Sequence, residues 1–353
     1  MLYNRDNKAL AAVGTPPELH AQNIVILCIA ISSAIGALWI VFGYAIFKQA
    51  RTFRHQLILG LAISDLLMAL NFISSTAAEL SGHSIGSDPM RNFCLANGFL
   101  VQWFVIQTDY WVLSIAVCTY FLVMDHRTAS KWVQQHRILV FAIPPVVSCI
   151  WAAIGLGLRA YDNIGAWCWF PSDRTRLLVN FVPRWVIILS ILVVYARLFA
   201  LLYTTHRRSS IHFLNEHYLD KPENSGSWRS GSVSTDRAML STSEKWPTRQ
   251  STRTSSGASM PPTLKKIAYQ MMTYPLIYML IWSIPTAIRI YQSTTGKPAP
   301  TALATVDKGC IVVQGLCDAL IYGYNECSMS AWRGVLTKFK NKITSHTEVG
   351  DVV

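Results

Sequence analysis

QMMTYPLIYMLIWSIPTAIRIY, residues 270–291, decides how the rest of the chain is read. The stretch is mostly apolar and long enough, at 1.5 Å of rise per helical residue, to cross about 30 Å of hydrocarbon. Two prolines, Pro275 and Pro285, interrupt it, and Arg289 stands near its end. A proline inside a helix frees a carbonyl and kinks the axis. Membrane helices tolerate this where neighbouring helices or water take up the freed group. The segment therefore reads as a bent spanning helix inside a bundle, with Trp282 seven residues past Pro275 on nearly the same face.

Working outward, six more stretches have the length and apolarity of spans. With residues 267–291 they are 23–47, 57–80, 93–124, 138–158, 177–203 and 303–326, the last carrying Asp307 and Lys308 in its first turns. The composition agrees: 52% of the 353 residues are hydrophobic and 14% charged, where a soluble domain has about a quarter charged. The expected fold is an all-α membrane protein, a seven-helix bundle. The net charge of +12 alone would suit a nucleic acid or an anionic lipid. Its placement gives a different reading. With residues 1–22 outside, the inner segments hold twenty lysines and arginines and the outer ones seven. Positive residues stay on the cytoplasmic side, so the charge is a topology signal and nucleic acid is not an expected partner. The expected location is the plasma membrane, N-terminus outside and C-terminus inside.

Only Cys94 and Cys168 fall on the outer side in this topology. That side is oxidising, so a disulfide between them is chemically allowed, and two free thiols are the alternative. Residues 204–266 form a long inner loop. Its part from 222 to 262 holds eleven serines and five threonines, a composition that cannot bury a core. Arginine-preceded hydroxyls there make kinases candidate partners, and a plain solvated tether is the alternative. After Cys327, a site open to acylation, apolar residues recur at helical spacing between basic ones through residue 343. This reads as a short amphipathic helix on the inner leaflet, with membrane lipids as its partner, followed by a tail to residue 353.

Charge inside a bilayer costs about 2.5–3.5 kcal/mol on insertion scales, so each buried charge needs a reason. Asp65 lies eight residues from the inner end of its span and Asp318 eight from the inner end of its own. Both are then about 12 Å deep, where two acids can share a proton, a cation or a water cluster. Asn325 follows Asp318 on nearly the same face, and Asp109 is mid-span. These residues form an expected polar centre, either a switch or a static plug. Towards the outer side, Arg184 is too deep for easy snorkelling, with Arg289 and Lys308 near span ends and Gln102, Asn180 and Trp185 in the same half. Together they suggest a cationic cavity for an anionic or strongly polar ligand. The alternative for Arg289 and Lys308 is that they reach headgroups. An Arg184→Ala variant is expected to lose the ligand response and keep its surface expression.

The strings resemble a known family. Residues 270–290 are similar to helix six of fungal G-protein-coupled receptors related to the slime-mould cyclic-AMP receptors and the fungal glucose-sensing receptors. VQGLCDALIYGYNE, residues 313–326, resembles their helix seven, and LAISDLL, residues 61–67, fits as well. The resemblance covers the seven-helix core. It implies ligand-dependent activation of a heterotrimeric G protein at the inner face, feeding cyclic-AMP-type signalling, and makes Cys94 and Cys168 the conventional outer disulfide. Residues expected to face the G protein are Asp125, Arg127, Arg207, Arg208, Lys265 and Lys266. The Asp/Glu-Arg-Tyr triplet of rhodopsin-like receptors is missing. YFLVMDHR, residues 120–127, stands in its place, and Asp125 with Arg127 is the substitute.

No metal-ligand spacing, nucleophile elbow or phosphate-binding glycine loop occurs, so neither an enzyme nor a cofactor is expected. Two other seven-helix readings compete. A retinal photoreceptor needs a lysine in the middle of span seven, where only Lys308 near the outer end is present. A transporter often shows internal repeats, and these seven unequal spans show none.

Overall fold

The computed structural model describes residues 15–47, 52–123, 135–158, 160–219, 262–295 and 299–325. They fall into two compact units, Met1–Leu198 with Thr263–Val353, and Phe199–Pro262. The first unit is a helical bundle. Its helices are α1 (Pro16–Ile46), α2 (Phe53–Leu80), α3 (Arg91–Val123), α4 (Arg137–Gly157), α5 (Val182–Leu219, which runs on into the second unit), α6 (Pro262–Thr295), α7 (Thr301–Val312) and α8 (Gln314–Asn325). Among the described residues six helices are long and apolar enough to cross a membrane. The seventh crossing is α7 and α8 in series, twelve residues each, broken at Val313.

The faces of α1 show what solvent the bundle is built for. Its buried side carries small residues, Ala30, Ser33, Ala34, Gly36 and Ala37, while Ile31, Ile35, Leu38 and Phe42 are exposed. Small residues inward and large aliphatic ones outward is the pattern of a helix packed in lipid. The small side lets α8 come close. A Cβ at Gly36 would meet Ala319 Cβ at 2.9 Å, and one at Gly315 would meet Ser33 Oγ at 2.6 Å.

Several boundaries differ from the sequence reading. Helix α1 begins at Pro16, held by Thr15 and Glu18 in a capping box, rather than at residue 23. Helix α5 runs to Leu219 and α6 starts at Pro262, so both continue past the hydrophobic limits used to place the spans. Apolarity marks where lipid ends, not where a helix ends. Arg207, Arg208, Lys265 and Lys266 are thus on helical backbone. Asp125, Arg127, Cys327, the serine-rich stretch and the amphipathic segment after residue 326 lie outside the described residues.

Between α4 and α5 a two-stranded hairpin, β1 (Asp162–Asn163) and β2 (Cys168–Trp169), pairs Asp162 with Trp169 and Asn163 with Cys168. Its residues from Ala166 to Phe170 are buried, which is unusual for a connection. Three ties hold it in. Cys168 is bonded to Cys94 of α3. The Cys168 amide donates to Asn97 Oδ1 at 2.8 Å, and Asn97 Nδ2 donates to Asn71 Oδ1 on α2 at 3.0 Å. Tyr161 donates to the Ala152 carbonyl at 2.8 Å and fills the space that glycine leaves at positions 98 and 155.

The prolines of α4 and α5 are held by indoles. Trp103 of α3 donates to the Pro145 carbonyl at 3.0 Å. Pro183 has no N–H for the Val179 carbonyl, and Trp151 of α4 donates to that carbonyl at 2.9 Å instead. Residues Leu177–Phe181, just before Pro183, are wound as a π-helix that absorbs the misfit.

Replacing Cys94 and Cys168 together by alanine removes a crosslink across 74 residues. The chain-entropy relation values that crosslink at about 4 kcal/mol. The melting temperature of the purified full chain is expected to fall, and a reductant should lower the native protein to the level of the double variant.

Candidate functional site

The middle of the bundle is organised around one carboxylate. Asp109, half-way along α3, accepts from Arg184 of α5: Nε lies 3.0 Å from Oδ1, and Nη2 lies 3.0 Å from Oδ2. Tyr278 of α6 donates to Oδ1 at 2.5 Å. All three side chains are buried, Arg184 completely. Two charges removed from water are tolerable only when paired and hydrogen-bonded, so this cluster fixes three helices against one another. The π-helical stretch bears on the same place: it carries Asn180, whose Oδ1 accepts from Arg184 Nη2 at 3.2 Å. Above the pair, the guanidinium carbon of Arg184 is 3.3 Å from the ring centroid of Trp282 on α6. Phe181 meets Trp282 edge-on at 6.3 Å. A cation against an indole face gains electrostatically, most of all where water is excluded.

Towards the disulfide end a second set of polar groups surrounds the buried hairpin. Gln102 of α3 accepts from Trp169 Nε1 at 2.6 Å. Lys308 of α7 donates to Gln22 Oε1 at 3.1 Å and to the Ile164 carbonyl at 2.9 Å, and its ammonium is 5.7 Å from the Trp167 ring centroid. Arg289 of α6 pairs with Asp307 of α7 at 2.5 Å and donates to Gln292 at 2.8 Å. Trp185 donates to Thr286 at 3.4 Å. Five buried donors in this half have no hydrogen-bond partner among the described residues: Gln102 Nε2, Asn180 Nδ2, Arg184 Nη1, Trp167 Nε1 and Trp282 Nε1.

A third cluster gathers acceptors. Asp65 of α2 and Asp318 of α8 are buried neighbours. Their carboxyl groups face each other closely enough for one proton to bridge them. Gln107 of α3 donates to Ser64 beside them at 2.9 Å. At the end opposite the disulfide, Asn325 of α8 donates to the Gln270 carbonyl at 3.0 Å, and Gln270 Nε2 donates back to the Asn325 carbonyl. Arg54 of α2 donates to Gln270 Oε1 at 3.0 Å. Three helices are thus clasped at Gln270, the ninth residue of α6.

The structure decides one open alternative and corrects one expectation. Arg289 and Lys308 do not run out to headgroups: both are buried, one on a carboxylate and the other on carbonyl oxygens. Arg184 and Asp109, read as belonging to separate groups, are one ion pair. Asn325 stands apart from Asp65 and Asp318, in the clasp with Gln270. Tyr278, Gln270, Gln22 and Asn97 were not singled out from sequence. Tyr278 could have been found from its spacing, four residues before Trp282 and so on the same helix face. Gln270 and Asn97 carry no such signal. Among the described residues no group of histidine, cysteine and acidic side chains is gathered to hold a metal.

Arg184→Ala or Asp109→Asn leaves one charge buried and unpaired, at a cost of about 3–5 kcal/mol. Arg184→Ala is therefore expected to lose surface expression as well as response, contrary to the expectation from sequence. The double variant Asp109→Asn with Arg184→Gln should recover much of the expression, as read by cell-surface labelling.

Residues 18–209 match the protein family described as "G protein-coupled glucose receptor regulating Gpa2", and residues 262–333 match the model for its C-terminal part. The ascaroside receptor GPR2 of Arthrobotrys oligospora is 38% identical, with 97% of each chain covered. The ascaroside receptor GPR3 of the same organism is 32% identical over 88% of this chain and 86% of its own. Cyclic AMP receptor-like protein A of Dictyostelium discoideum is 27% identical over 46% of this chain and 40% of its own. Squid rhodopsin shares the fold, with a TM-score of 0.59 at 14% identity over 95% of this chain and 92% of that one. The chain is a multi-pass membrane protein with the seven-helix receptor fold, and it belongs to the family of G protein-coupled glucose receptors regulating Gpa2.

Proposed function

We propose that the disulfide end of the bundle faces the outside of the plasma membrane, that a polar ligand binds there, and that the event is passed along α6 to a G protein of the Gpa2 type. The observation that carries this reading is the contact of Arg184 with Trp282, 3.3 Å from guanidinium carbon to ring centroid. It joins the polar groups under the hairpin to α6, which carries Gln270 of the clasp towards its far end. The unpartnered donors of Gln102, Asn180 and Arg184 suit a ligand rich in acceptor oxygens, such as hydroxyls or a carboxylate. Trp185, Arg289 and Lys308 complete the site.

A ligand that binds one packing better than another shifts the balance between them. In this reading the ligand moves Trp282, α6 bends at Pro275 and Pro285, and the Gln270–Asn325 clasp opens a crevice for the G protein. Asp125, Arg127, Arg207, Arg208, Lys265 and Lys266 would border that crevice. Asp65 and Asp318 would form a polar centre that rearranges with it. The 204–266 loop and the segment after residue 326 remain the candidate places for kinases and for the inner leaflet. Cyclic-AMP-type signalling follows from the Gpa2 connection.

Two relatives that match most of the chain are named as ascaroside receptors, so an ascaroside is the first ligand to test, beside glucose and cyclic AMP. The full chain in nanodiscs is expected to accelerate nucleotide exchange on a Gpa2-type subunit with one of these and not with buffer alone. No acceleration with any of them on any subunit tried would remove the reading. Gln270→Ala should raise exchange without ligand. It removes two hydrogen bonds of about 1 kcal/mol each, which shifts a two-state balance by about 30-fold at most. An unchanged basal rate would show that the clasp does not hold the resting state.

A further inference from the structure

Lys308 is a buried lysine whose two hydrogen-bond partners are both neutral. Its two hydrogen bonds go to the Gln22 side chain and the Ile164 carbonyl, and its third neighbour is the face of Trp167. No carboxylate among the described residues forms a salt bridge with it. Its charged neighbours are Arg176, Arg289 and Asp307, three cations in all against one carboxylate, and Asp307 is already engaged by Arg289. A buried cation is normally paired with an anion, because desolvation is costly without one.

The hairpin turn bears on the same point. In a four-residue turn the first carbonyl usually accepts from the fourth amide. Here the Ile164 amide donates to the Trp167 carbonyl at 3.0 Å, while the Ile164 carbonyl is turned to Lys308. Gly165, with φ of 111°, and the Asn163 side chain, which accepts from the Gly165 amide at 2.7 Å, shape that turn. A backbone oxygen thus takes the place that a stronger acceptor would occupy. Trp167, Phe72 and Trp169 supply apolar surface beside it, with Trp167 and Phe72 4.6 Å apart.

We propose that Lys308 is the docking point for the anionic group of the ligand, a carboxylate on a partly apolar body, and that the Ile164 carbonyl holds this place until the ligand displaces it. The proposal deepens the receptor reading by naming the chemistry of the ligand, and its test reads binding alone, independently of G-protein coupling. The same anion chemistry could be offered by a lipid headgroup, so the lipid is varied as well.

The experiment measures the melting temperature of the full chain in phosphatidylcholine nanodiscs with hexanoate or with methyl hexanoate, which differ only at the charge. Hexanoate is expected to raise it by about 2–4 °C and the ester by less than half of that. Lys308→Gln should erase the difference. Equal effects of acid and ester on the native chain would overturn the proposal, and this arm needs no variant to fold. So would an undiminished difference in Lys308→Gln. If phosphatidylglycerol in the nanodisc raises the melting temperature and removes the increment from hexanoate, the occupant is a headgroup and the small-ligand proposal fails.

Discussion

The Asp109–Arg184 pair is the constraint on which the arrangement of the bundle depends. Neither charge is tolerable alone at that depth, so α3 and α5 must present the two groups to each other whatever else changes. The pair also sets the place of α6 without holding it as firmly. Tyr278 is attached to Asp109 by one hydrogen bond, and Trp282 rests against Arg184 through its ring face. A phenol and an indole can slide or turn at lower cost than an ion pair can part. The centre of the protein is therefore a fixed junction of two helices with a third leaning on it.

Polar groups are unevenly placed along the bundle. Donors of Gln102, Asn180, Arg184, Trp167 and Trp282 gather in the hairpin half, and the carboxyl groups of Asp65 and Asp318 between α2 and α8. Lys308 and the guanidinium groups make the first region a field that favours acceptors, and Asp65 with Asp318 make the second one that favours protons or cations. The Asp109–Arg184 pair lies close to cancelling in charge. An anion entering under the hairpin would thus meet an attractive region bounded below by a neutral one.

Much of this was legible in the sequence, and the limits are physical. Length and apolarity found the crossings because lipid imposes both. The depth of Asp65 and Asp318 could be counted from the ends of their spans, and they are neighbours. The oxidising side left Cys94 and Cys168 as the only candidates, and they are bonded. The partner of Arg184 was not legible. Depth along a helix can be counted, but the angle at which a side chain leaves it depends on the π-helical stretch before Pro183 and on how α3 is rotated. For Arg289 and Lys308 the choice between the cavity and the headgroups was not legible for a related reason. Position near a span end permits snorkelling, yet the buried hairpin covers that end with carbonyls and indoles, and a connection of this length carries no pattern that announces burial. The break at Val313 was hidden because α7 and α8 together have the length of one crossing.

The prolines show why motion should concentrate in α6. Prolines weaken α4, α5 and α6 alike. In α5 the carbonyl freed by Pro183 is bonded by Trp151, whereas in α4 Trp103 bonds the carbonyl of Pro145 itself and not those of Val140 and Phe141, which the two prolines free. In α6 the carbonyls freed by Pro275 and Pro285 are those of Met271 and Ile281, and no described side chain takes either. The freed carbonyl is therefore tied to a neighbouring helix in α5 and not in α6. Helix α6 is the one with Trp282 near its middle and Gln270 in the clasp towards its far end. A bend that costs little can be driven by a small difference in ligand affinity between two packings. In the proposed receptor α6 would bend at these two unbraced points, where α5 has its own tied by Trp151.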